Sequence, residues 1–315
     1  MLYKNGINLK SGLVEFINKS NQLFIFSAYI KLEPLKYLID VSDKVKSVCV
    51  RWEPRDLITG ASDLEIYLYL RDKGVYLYRN PRLHLKAFID DYSDCFMGSA
   101  NISNRALDIA ESQTYNYEIG TIVKDLSLAD RLYFNKIEQE SILITDSIYN
   151  QLKEQLPEKN NEFPKETEFK LTFDGLDKDF LITALPMSFD INLLYSTYST
   201  GFAKNSIDLN CAVHDLVLYD IGEGLDWVNF KQELSIKFFN HRFIKYFLRK
   251  VEERNEIYFG EAKEWIQQNC ANVPAPRRWE ITENIQILYK WIVDLGDGKY
   301  IIDIPRAYSE RLRII

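Results

Sequence analysis

Six residues between positions 83 and 101 have the types and the spacing needed for phosphate chemistry. They follow the pattern H-x-K-x4-D-x6-G-S-x-N and are His84, Lys86, Asp91, Gly98, Ser99 and Asn101. Both halves of the pattern adjoin short apolar runs that are typical of buried strands. Because residues i and i+2 of a strand face the same side, we expect His84 and Lys86 to project together. The pattern therefore predicts a basic nucleophile beside a fixed positive charge.

Such a pair suits attack on a phosphodiester. The phosphate group is anionic and repels nucleophiles, so a site must neutralise its oxygens and also offer a basic group. Histidine is uncharged and basic near neutral pH, since its ordinary pKa is about 6.5. Lys86, the Ser99 hydroxyl and the Asn101 amide can donate hydrogen bonds to the phosphoryl oxygens. These residues predict a phosphodiesterase that works without a metal or other cofactor.

Two further candidate phosphate ligands lie in the loop of residues 51–63, which follows a predicted strand. Ligand sites in open α/β sheets gather beyond strand ends. Arg51 and Arg55 can each bind a phosphate through two hydrogen bonds. The alternative is that the two arginines form ion pairs with Glu53 and Asp56, and the sequence leaves both possibilities open.

The six-residue pattern resembles the HKD signature of the phospholipase D superfamily, and the match is complete over residues 84–101. The resemblance implies that His84 attacks phosphorus and forms a phosphohistidine. It also implies that Glu118 orients the catalytic histidine, and that Asp91 and Gly98 hold local geometry and transfer no proton.

The chain holds one copy of this motif, because the other histidines, His214 and His241, do not begin an H-x-K. Members of the family work with two motifs that share one active site. By resemblance, the chain is expected to form a homodimer in which His84 of one subunit attacks phosphorus. His84 of the other subunit then protonates the leaving oxygen and activates the water that releases the product.

The resemblance leaves three functions to compare. A single motif copy and a candidate DNA-recognition domain favour a DNA endonuclease similar to metal-independent restriction endonucleases, for which a helicase or ATPase is a further candidate partner. A lipid phosphodiesterase or phosphatidyltransferase usually carries both motifs in one chain, which makes it the weaker alternative. A non-catalytic DNA-binding protein is the third, and the intact motif speaks against it.

Composition predicts a soluble, cytoplasmic protein with more than one domain. The chain has 315 residues, of which 46% are hydrophobic and 27% charged, and its net charge is −7. No run of about 18 apolar residues that could cross a membrane is present. The acidic balance does not exclude DNA, because binding depends on local clusters of Lys and Arg. The four cysteines are widely spaced, which argues against a structural zinc site.

Strands and helices alternate over residues 1–156 and predict a phospholipase D-like α/β domain with a mixed, largely parallel sheet flanked by helices. Helices are expected at residues 61–73, 102–112 and, as one continuous element, 126–155. A polar segment at 157–166, rich in Pro, Asn and charge, predicts a linker.

Residues 167–315 are interpreted as a DNA-recognition domain. Its first part is expected to contain strands at 168–173, 180–184 and 207–219. From 230 onwards, a helix over 230–254, a short strand, two helices and a hairpin resemble a winged helix-turn-helix, whose third helix would enter the major groove. The expected DNA contacts are Arg277, Arg278, Lys290 and Lys299, with Asn284, Gln286, Arg306 and Arg311 as further candidates. The alternative is that these residues form a solvated or dimer-facing surface.

Overall fold

A computed structural model describes residues 1–40, 42–109, 111, 114–156, 178–277, 280–305 and 310–315 of the chain. The chain divides into two compact units. The first unit comprises Met1–Leu126 and Ile137–Leu176, and the second comprises Ser127–Lys136 and Asp177–Ile315. The predicted linker at 157–166 lies outside the described residues. Among the helices that the structure describes, none combines the length and apolar character needed to cross a bilayer.

The first unit is built on a mixed sheet of eight strands in the described part of the chain. The strands are β1 (Tyr3–Lys4), β2 (Leu23–Ser27), β3 (Val45–Val50), β4 (Tyr76–Arg79), β5 (Lys86–Asp90), β6 (Asp94–Gly98), β7 (Ile119–Val123) and β8 (Ile142–Leu143). Their order across the sheet is β1-β7-β6-β5-β2-β3-β4-β8. The fold class, a mixed sheet flanked by helices, is confirmed.

The sequence had predicted a largely parallel sheet. The structure shows instead that most strand pairs of this sheet are antiparallel. Within this sheet, of the strands that the structure describes, only β2, β3 and β4 pair in parallel, and the remaining neighbours are antiparallel. The reason is the short turn after β5, in which Asp91 and Tyr92 both have positive φ. This turn sends the chain back beside itself as a hairpin, where a parallel pair would need a long crossover.

Helices of the first unit pack on this sheet and bury its central strands. They are α1 (Leu9–Lys19), α2 (Leu32–Ile39), α3 (Pro54–Ile58), α4 (Ile66–Asp72), α5 (Asn104–Leu107) and α7 (Asp146–Gln155), while α6 (Leu128–Gln139) spans the division between the units. One core cluster joins side chains of α1, α2, α4 and α7 to those of β2 and β3. All five residues of β2 are buried, as expected for a strand covered on both faces.

Three predicted helices of this unit have different bounds in the structure. Residues 126–155 are not one helix, because β8 interrupts them and pairs antiparallel with β4, and Thr145 then caps α7 by accepting from the Ile148 amide. The helix predicted at 61–73 begins only at Ile66. Ser62 and Asp63 accept hydrogen bonds from the amides of Ile30 and Leu32 and so hold the end of β2. The helix predicted at 102–112 is α5 alone in the described residues.

The second unit is mainly helical where a β-containing part had been predicted. It has helices α8 (Ile191–Thr200), α9 (Ser206–Leu218), α10 (Trp227–Asn240), α11 (Arg242–Glu252), α12 (Phe259–Asn269) and α13 (Ile281–Leu295). The strand predicted at 207–219 is therefore wrong. Asn205 caps α9 by accepting from the Asp208 amide and donating to its carboxylate, a helix-start signal that outweighs the apparent alternation. The helix predicted at 230–254 is broken at His241, which has extended backbone.

The last elements follow the predicted order of helix, strand, two helices and hairpin. After α11 come β10 (Glu256–Tyr258), α12, β11 (Cys270–Ala271), α13, β12 (Tyr300–Asp303) and β13 (Arg311–Ile314). Strands β12 and β13 pair antiparallel, and β10 joins them in the order β10-β13-β12. Of the strand predicted at 180–184, only β9 (Phe180–Leu181) forms, in parallel with β11. The strand predicted at 168–173 lies outside the described residues.

Candidate active site

The two leading residues of the motif lie at the start of β5. Lys86 is the first residue of this strand and is half-buried, and His84 precedes it by two positions and is exposed. The Lys86 ammonium donates a hydrogen bond to the His84 carbonyl oxygen at 2.8 Å. This bond holds the ammonium against the backbone of His84, just before the strand.

The charge of Lys86 is influenced by two predicted site residues from other strands. Burial lowers the pKa of Lys86, the positive charge of Arg51 lowers it further, and the negative charge of Glu118 opposes both. Arg51 follows β3 and Glu118 precedes β7, so three strand ends contribute charged groups to one place. The site therefore holds a lysine that gives up its proton more readily than an ordinary surface lysine.

Ser99 and Glu118 form a hydrogen-bonded pair where β6 ends and β7 begins. The Ser99 hydroxyl donates to the Glu118 carboxylate and accepts from the Ile119 amide at 3.2 Å, and the Ser99 amide donates to the Ile119 carbonyl at 3.0 Å. The other Glu118 oxygen accepts from the Asn116 amide group at 3.3 Å. Glu118 is thus held by Ser99 and Asn116, and its orienting role toward His84 stays a prediction.

Gly98 permits this close approach of the two strands. It faces Gly120 across the β6–β7 ladder, and a side chain at position 98 would collide with the Ile119 carbonyl oxygen. A glycine is therefore required on steric grounds to bring Ser99 beside Glu118.

Asp91 lies at the opposite end of β5 from Lys86, in the turn before β6. Its backbone amide donates to the Gln22 carbonyl oxygen at 2.8 Å. This position agrees with a role in local geometry.

Asn101 contributes a polar group without a protein partner. Its side-chain oxygen is buried and has no hydrogen-bond donor among the described residues, whereas its backbone oxygen accepts from the Ser103 amide. The next residue, Ile102, forms a bridge with Ile30 beyond the end of β2 and fixes the segment to the sheet. An unpaired buried acceptor costs free energy, on the order of 1–3 kcal/mol.

Arg51 has the ion pair that the sequence had left as an alternative. Its guanidinium donates to the buried Asp56 carboxylate at 2.8 Å and to the Tyr29 hydroxyl at 2.7 Å. The bonds to Asp56 raise the pKa of Arg51, so its charge is permanent. Arg51 is thus brought near Lys86 but is already partnered. Arg55 is exposed on α3, and the structure does not place it with the motif.

Tyr29 is a site residue that the sequence analysis missed. Its ring centroid lies 6.3 Å from that of His84 with the rings at 89°, an edge-to-face contact, and its other side faces the Arg51 guanidinium carbon at 4.8 Å from the ring centroid. Arg51 therefore holds Tyr29, and Tyr29 packs against His84. The signal was its place two residues after a buried strand, at the end of the sheet where the motif residues lie.

Two of the predicted DNA contacts in the second unit are buried. Arg277 has ion pairs with Asp208 at 2.8 Å and with two further carboxylates, and it also donates to a backbone carbonyl. Asn284 is fully buried and donates to the Arg277 carbonyl. Neither side chain is accessible to DNA, so both predictions are wrong, because packing of α13 against its own unit uses these residues.

The other predicted contacts differ in how they are engaged. Lys290 forms an ion pair with Asp294 at 3.3 Å on α13, and Arg311 pairs with Asp303 and Glu256. Lys299 is exposed, with its ammonium 5.3 Å from the Tyr300 ring centroid. Gln286 is exposed and donates to Glu310. Arg278 and Arg306 lie outside the described residues.

Comparisons with known proteins give only distant similarities. No family model matches the chain, and no curated protein matches it. Similar solved structures include a phospholipase D family member, Nuc, from Salmonella typhimurium, with 12% identity, 46% of this chain and 99% of that chain covered, and a TM-score of 0.37. NucT from Helicobacter pylori has 17% identity, covers 46% of this chain and 98% of that chain, and has a TM-score of 0.35. TrmBL2, an archaeal chromatin protein, has 16% identity, covers 46% of this chain and 54% of that chain, and has a TM-score of 0.31.

Proposed function

We propose that this chain is a metal-independent phosphodiesterase that cleaves DNA through a phosphohistidine on His84. The observation that carries the proposal is that an exposed histidine, His84, precedes β5 and its backbone carbonyl accepts a hydrogen bond from the half-buried ammonium of Lys86. An exposed histidine can reach a large substrate. A partly buried cation is screened less by water than a surface lysine, and it therefore stabilises a phosphoryl oxygen more strongly.

The proposed reaction has two steps. An imidazole nitrogen of His84 attacks phosphorus, and the bond from phosphorus to the leaving oxygen breaks while that oxygen takes a proton from a second histidine. The second histidine then removes a proton from water, the water oxygen attacks phosphorus, and the bond between phosphorus and His84 breaks. Lys86 and the Asn101 amide group stabilise the charge that develops on the phosphoryl oxygens.

The second histidine is proposed to be His84 of another copy of the chain. Large apolar side chains are exposed on the strands that carry the motif, with Met97 at 40% and Ile119 at 52% exposure, and Tyr117 just before β7 at 99%. Met97 faces Thr121 across the ladder, so side chains 97, 119 and 121 project from one face of the sheet. Contact with a second copy would remove this surface from water and so supports self-association of the chain. Because Met97 pairs with Ala87, this surface lies on the sheet face opposite to Lys86, so the sharing of His84 between two copies rests on the family resemblance.

DNA is the proposed substrate because of the second unit. Its order of helix, strand, two helices and a hairpin, with the sheet order β10-β13-β12, resembles a winged helix. A module of this kind attached to a phosphodiesterase site supports a nuclease over a lipid-processing enzyme. Restriction-like action, and the need for a helicase or ATPase partner, belong to the same proposal.

The test is cleavage of supercoiled plasmid in EDTA by the full chain and by His84→Ala. We expect cleavage in EDTA and a loss on the order of 10³-fold or more in the variant, because the nucleophile is removed. Arg82→Ala is the matched control, since this neighbouring side chain is 79% exposed. Dependence on Mg²⁺, or full activity of His84→Ala, would overturn the proposal. Phosphatidylcholine vesicles as a parallel substrate would reveal a lipid enzyme.

A further inference from the structure

We infer that the second unit binds the phosphodiester backbone of DNA along an exposed basic stripe on α11, and not through α13. The basic stripe consists of Arg242, Lys245 and Arg249 of α11 together with Lys299. This inference rests on the proposed function, because it names the surface through which a DNA substrate would be held.

The first observation is that, among the described residues, three cations of the basic stripe have no carboxylate partner. In the described part of the chain, no carboxylate lies within ion-pair distance of Lys245, Arg249 or Lys299. Two cations in or near α13 had been predicted to contact DNA, and both form ion pairs. Arg277 pairs with three carboxylates and Lys290 pairs with Asp294. An exposed cation without a carboxylate partner keeps its charge for an external anion.

The second observation is a groove of about 490 Å³ that is lined by three residues of the basic stripe. Lys245 and Arg249 line one side of it, and Lys299 comes from the turn between α13 and β12. Two carboxylates, Glu252 and Asp297, also line the groove, against the three cations Lys245, Arg249 and Lys299. Phe239 lines the groove and stacks on Tyr300 at an interplanar angle of 15°. Charge and shape together provide a concave site for a strand backbone.

The spacing of the basic stripe fits nucleic acid. Arg242, Lys245 and Arg249 are separated by three and four residues and lie on one face of the helix. From the first to the third, the helix rises by about 10 Å, and a DNA strand advances by about 3.4 Å per phosphate, so about three phosphates lie along this distance. The three cations therefore match the charge density of one strand.

An anionic membrane surface is the competing partner for any basic helix face, and α11 lacks the features for it. Membrane-bound helices insert exposed apolar side chains beside their cations. Over the whole of α11, which the structure describes, the large apolar side chains Phe243, Ile244 and Phe247 are fully buried in the unit. The exposed aromatic on this face, Tyr246, contacts Arg249 and Arg242. The one exposed aromatic on α11 is thus in contact with cations, and the helix offers no exposed aliphatic side chain for insertion.

The experiment measures DNA binding by the full chain carrying His84→Ala, which prevents cleavage. Fluorescence anisotropy with a short labelled duplex in EDTA is compared for two triple variants in this background. The stripe variant carries Lys245→Gln, Arg249→Gln and Lys299→Gln. The control variant carries Lys204→Gln, Lys263→Gln and Lys290→Gln and so changes the net charge equally. Thermal unfolding of both variants establishes that they are folded.

We expect the stripe variant to bind the duplex at least about tenfold more weakly at low salt, and its salt dependence to decrease by a slope of about 2–3, because each phosphate contact contributes about 0.9. The control variant is expected to stay within about twofold. Equal losses in both variants, or no loss in the stripe variant, would overturn the inference. So would stripe-dependent binding to phosphatidylserine vesicles without binding to DNA.

The outcomes for the two proposals are separate. If the wild-type chain cleaves plasmid in EDTA while both triple variants bind duplex equally, the basic stripe is wrong and the nuclease proposal stands. If no cleavage occurs but the stripe variant alone loses DNA binding, the nuclease proposal is wrong and the basic stripe stands.

Discussion

The two units differ in how well a local pattern of residues corresponds to a site in space. In the first unit, His84, Lys86 and Ser99 were selected from spacing alone. The start of β5 and the end of β6 lie at the same end of two paired strands, and this brings the three residues together. In the second unit, Arg277 and Lys290 were selected from a predicted helix and its charges, and both are used within the unit. Spacing along adjacent strands determines which side chains meet, whereas the exposed face of a helix depends on what packs against it.

Ion pairing is the physical measure of this difference. A cation that must bind phosphate has to remain unpaired or be held by weak partners, as Lys86 is by a carbonyl oxygen. A cation that stabilises the packing of a unit is surrounded by carboxylates, as Arg277 is. The predictions that follow test whether this distinction separates stability from function.

The largest effect is expected on stability, from Arg277→Ala. This change leaves the carboxylates of Asp208, Glu280 and Glu283 close together without their cation. Because the arginine side chain is only 9% exposed, we expect a loss of about 3–5 kcal/mol in the free energy of unfolding. Urea unfolding followed by circular dichroism measures it. Arg277→Lys is the matched control and should recover part of the loss, and an unchanged midpoint in Arg277→Ala would show that these pairs do not stabilise the unit.

Lys86→Met should have the opposite effect to Arg277→Ala, because activity should be lost while stability is unchanged. The ammonium faces a developing negative charge in the proposed reaction, and removal of one such group costs about 3–4 kcal/mol of transition-state stabilisation, or 10²–10³ in kcat. Plasmid cleavage kinetics measure this cost, and the unfolding midpoint should change little. Lys44→Met, a cation from the same unit that is remote from the motif in sequence, is the control. A loss of stability equal to that of Arg277→Ala would remove the distinction between the two units.

The pH profile tests the same lysine without removing it. Burial and Arg51 lower the pKa of Lys86, so the ammonium should lose its proton below the ordinary lysine pKa of 10.5. Activity should therefore fall as the pH rises through the lowered pKa of Lys86. In Lys86→Arg the guanidinium stays charged at these pH values, so the alkaline decrease should disappear even if kcat is lower. An identical alkaline limb in both proteins would assign it to another group.

Tyr29→Leu sharpens the comparison within the site itself. The substitution removes the ring that packs edge-on against His84, and aromatic contacts of this kind contribute about 0.5–1.5 kcal/mol. We expect kcat to fall by up to about tenfold with KM nearly unchanged, because the ring positions the nucleophile and does not bind substrate. Tyr29→Phe keeps the ring and loses only the bond from Arg51, so its kcat should lie closer to that of wild type. A change confined to KM would contradict a positioning role.

These residues also show how far the sequence could be interpreted. The sheet class and the motif positions were predictable because apolar strand runs and residue spacing are local properties. The strand β8 was missed because it has only two residues and lies between two helical patterns, and α9 was missed because the Asn205 cap was not weighed against an apparent alternation. Tyr29 could not be identified from spacing, since its contact with His84 joins a residue that follows β2 to one that precedes β5, and these two meet only in the fold.

The smallest effect is expected for Lys290→Ala, and its size decides which face of the second unit meets DNA. The ion pair with Asp294 joins side chains that are 41% and 30% exposed, and exposed pairs at this helix spacing contribute about 0.3–0.5 kcal/mol. We therefore expect a small decrease in the unfolding free energy and no more than about a twofold change in duplex affinity. Lys245→Ala on the basic stripe is the matched comparison and should weaken binding more. If Lys290→Ala weakened binding more than Lys245→Ala, the DNA would lie on α13, and ion pairing would not distinguish binding cations from structural ones.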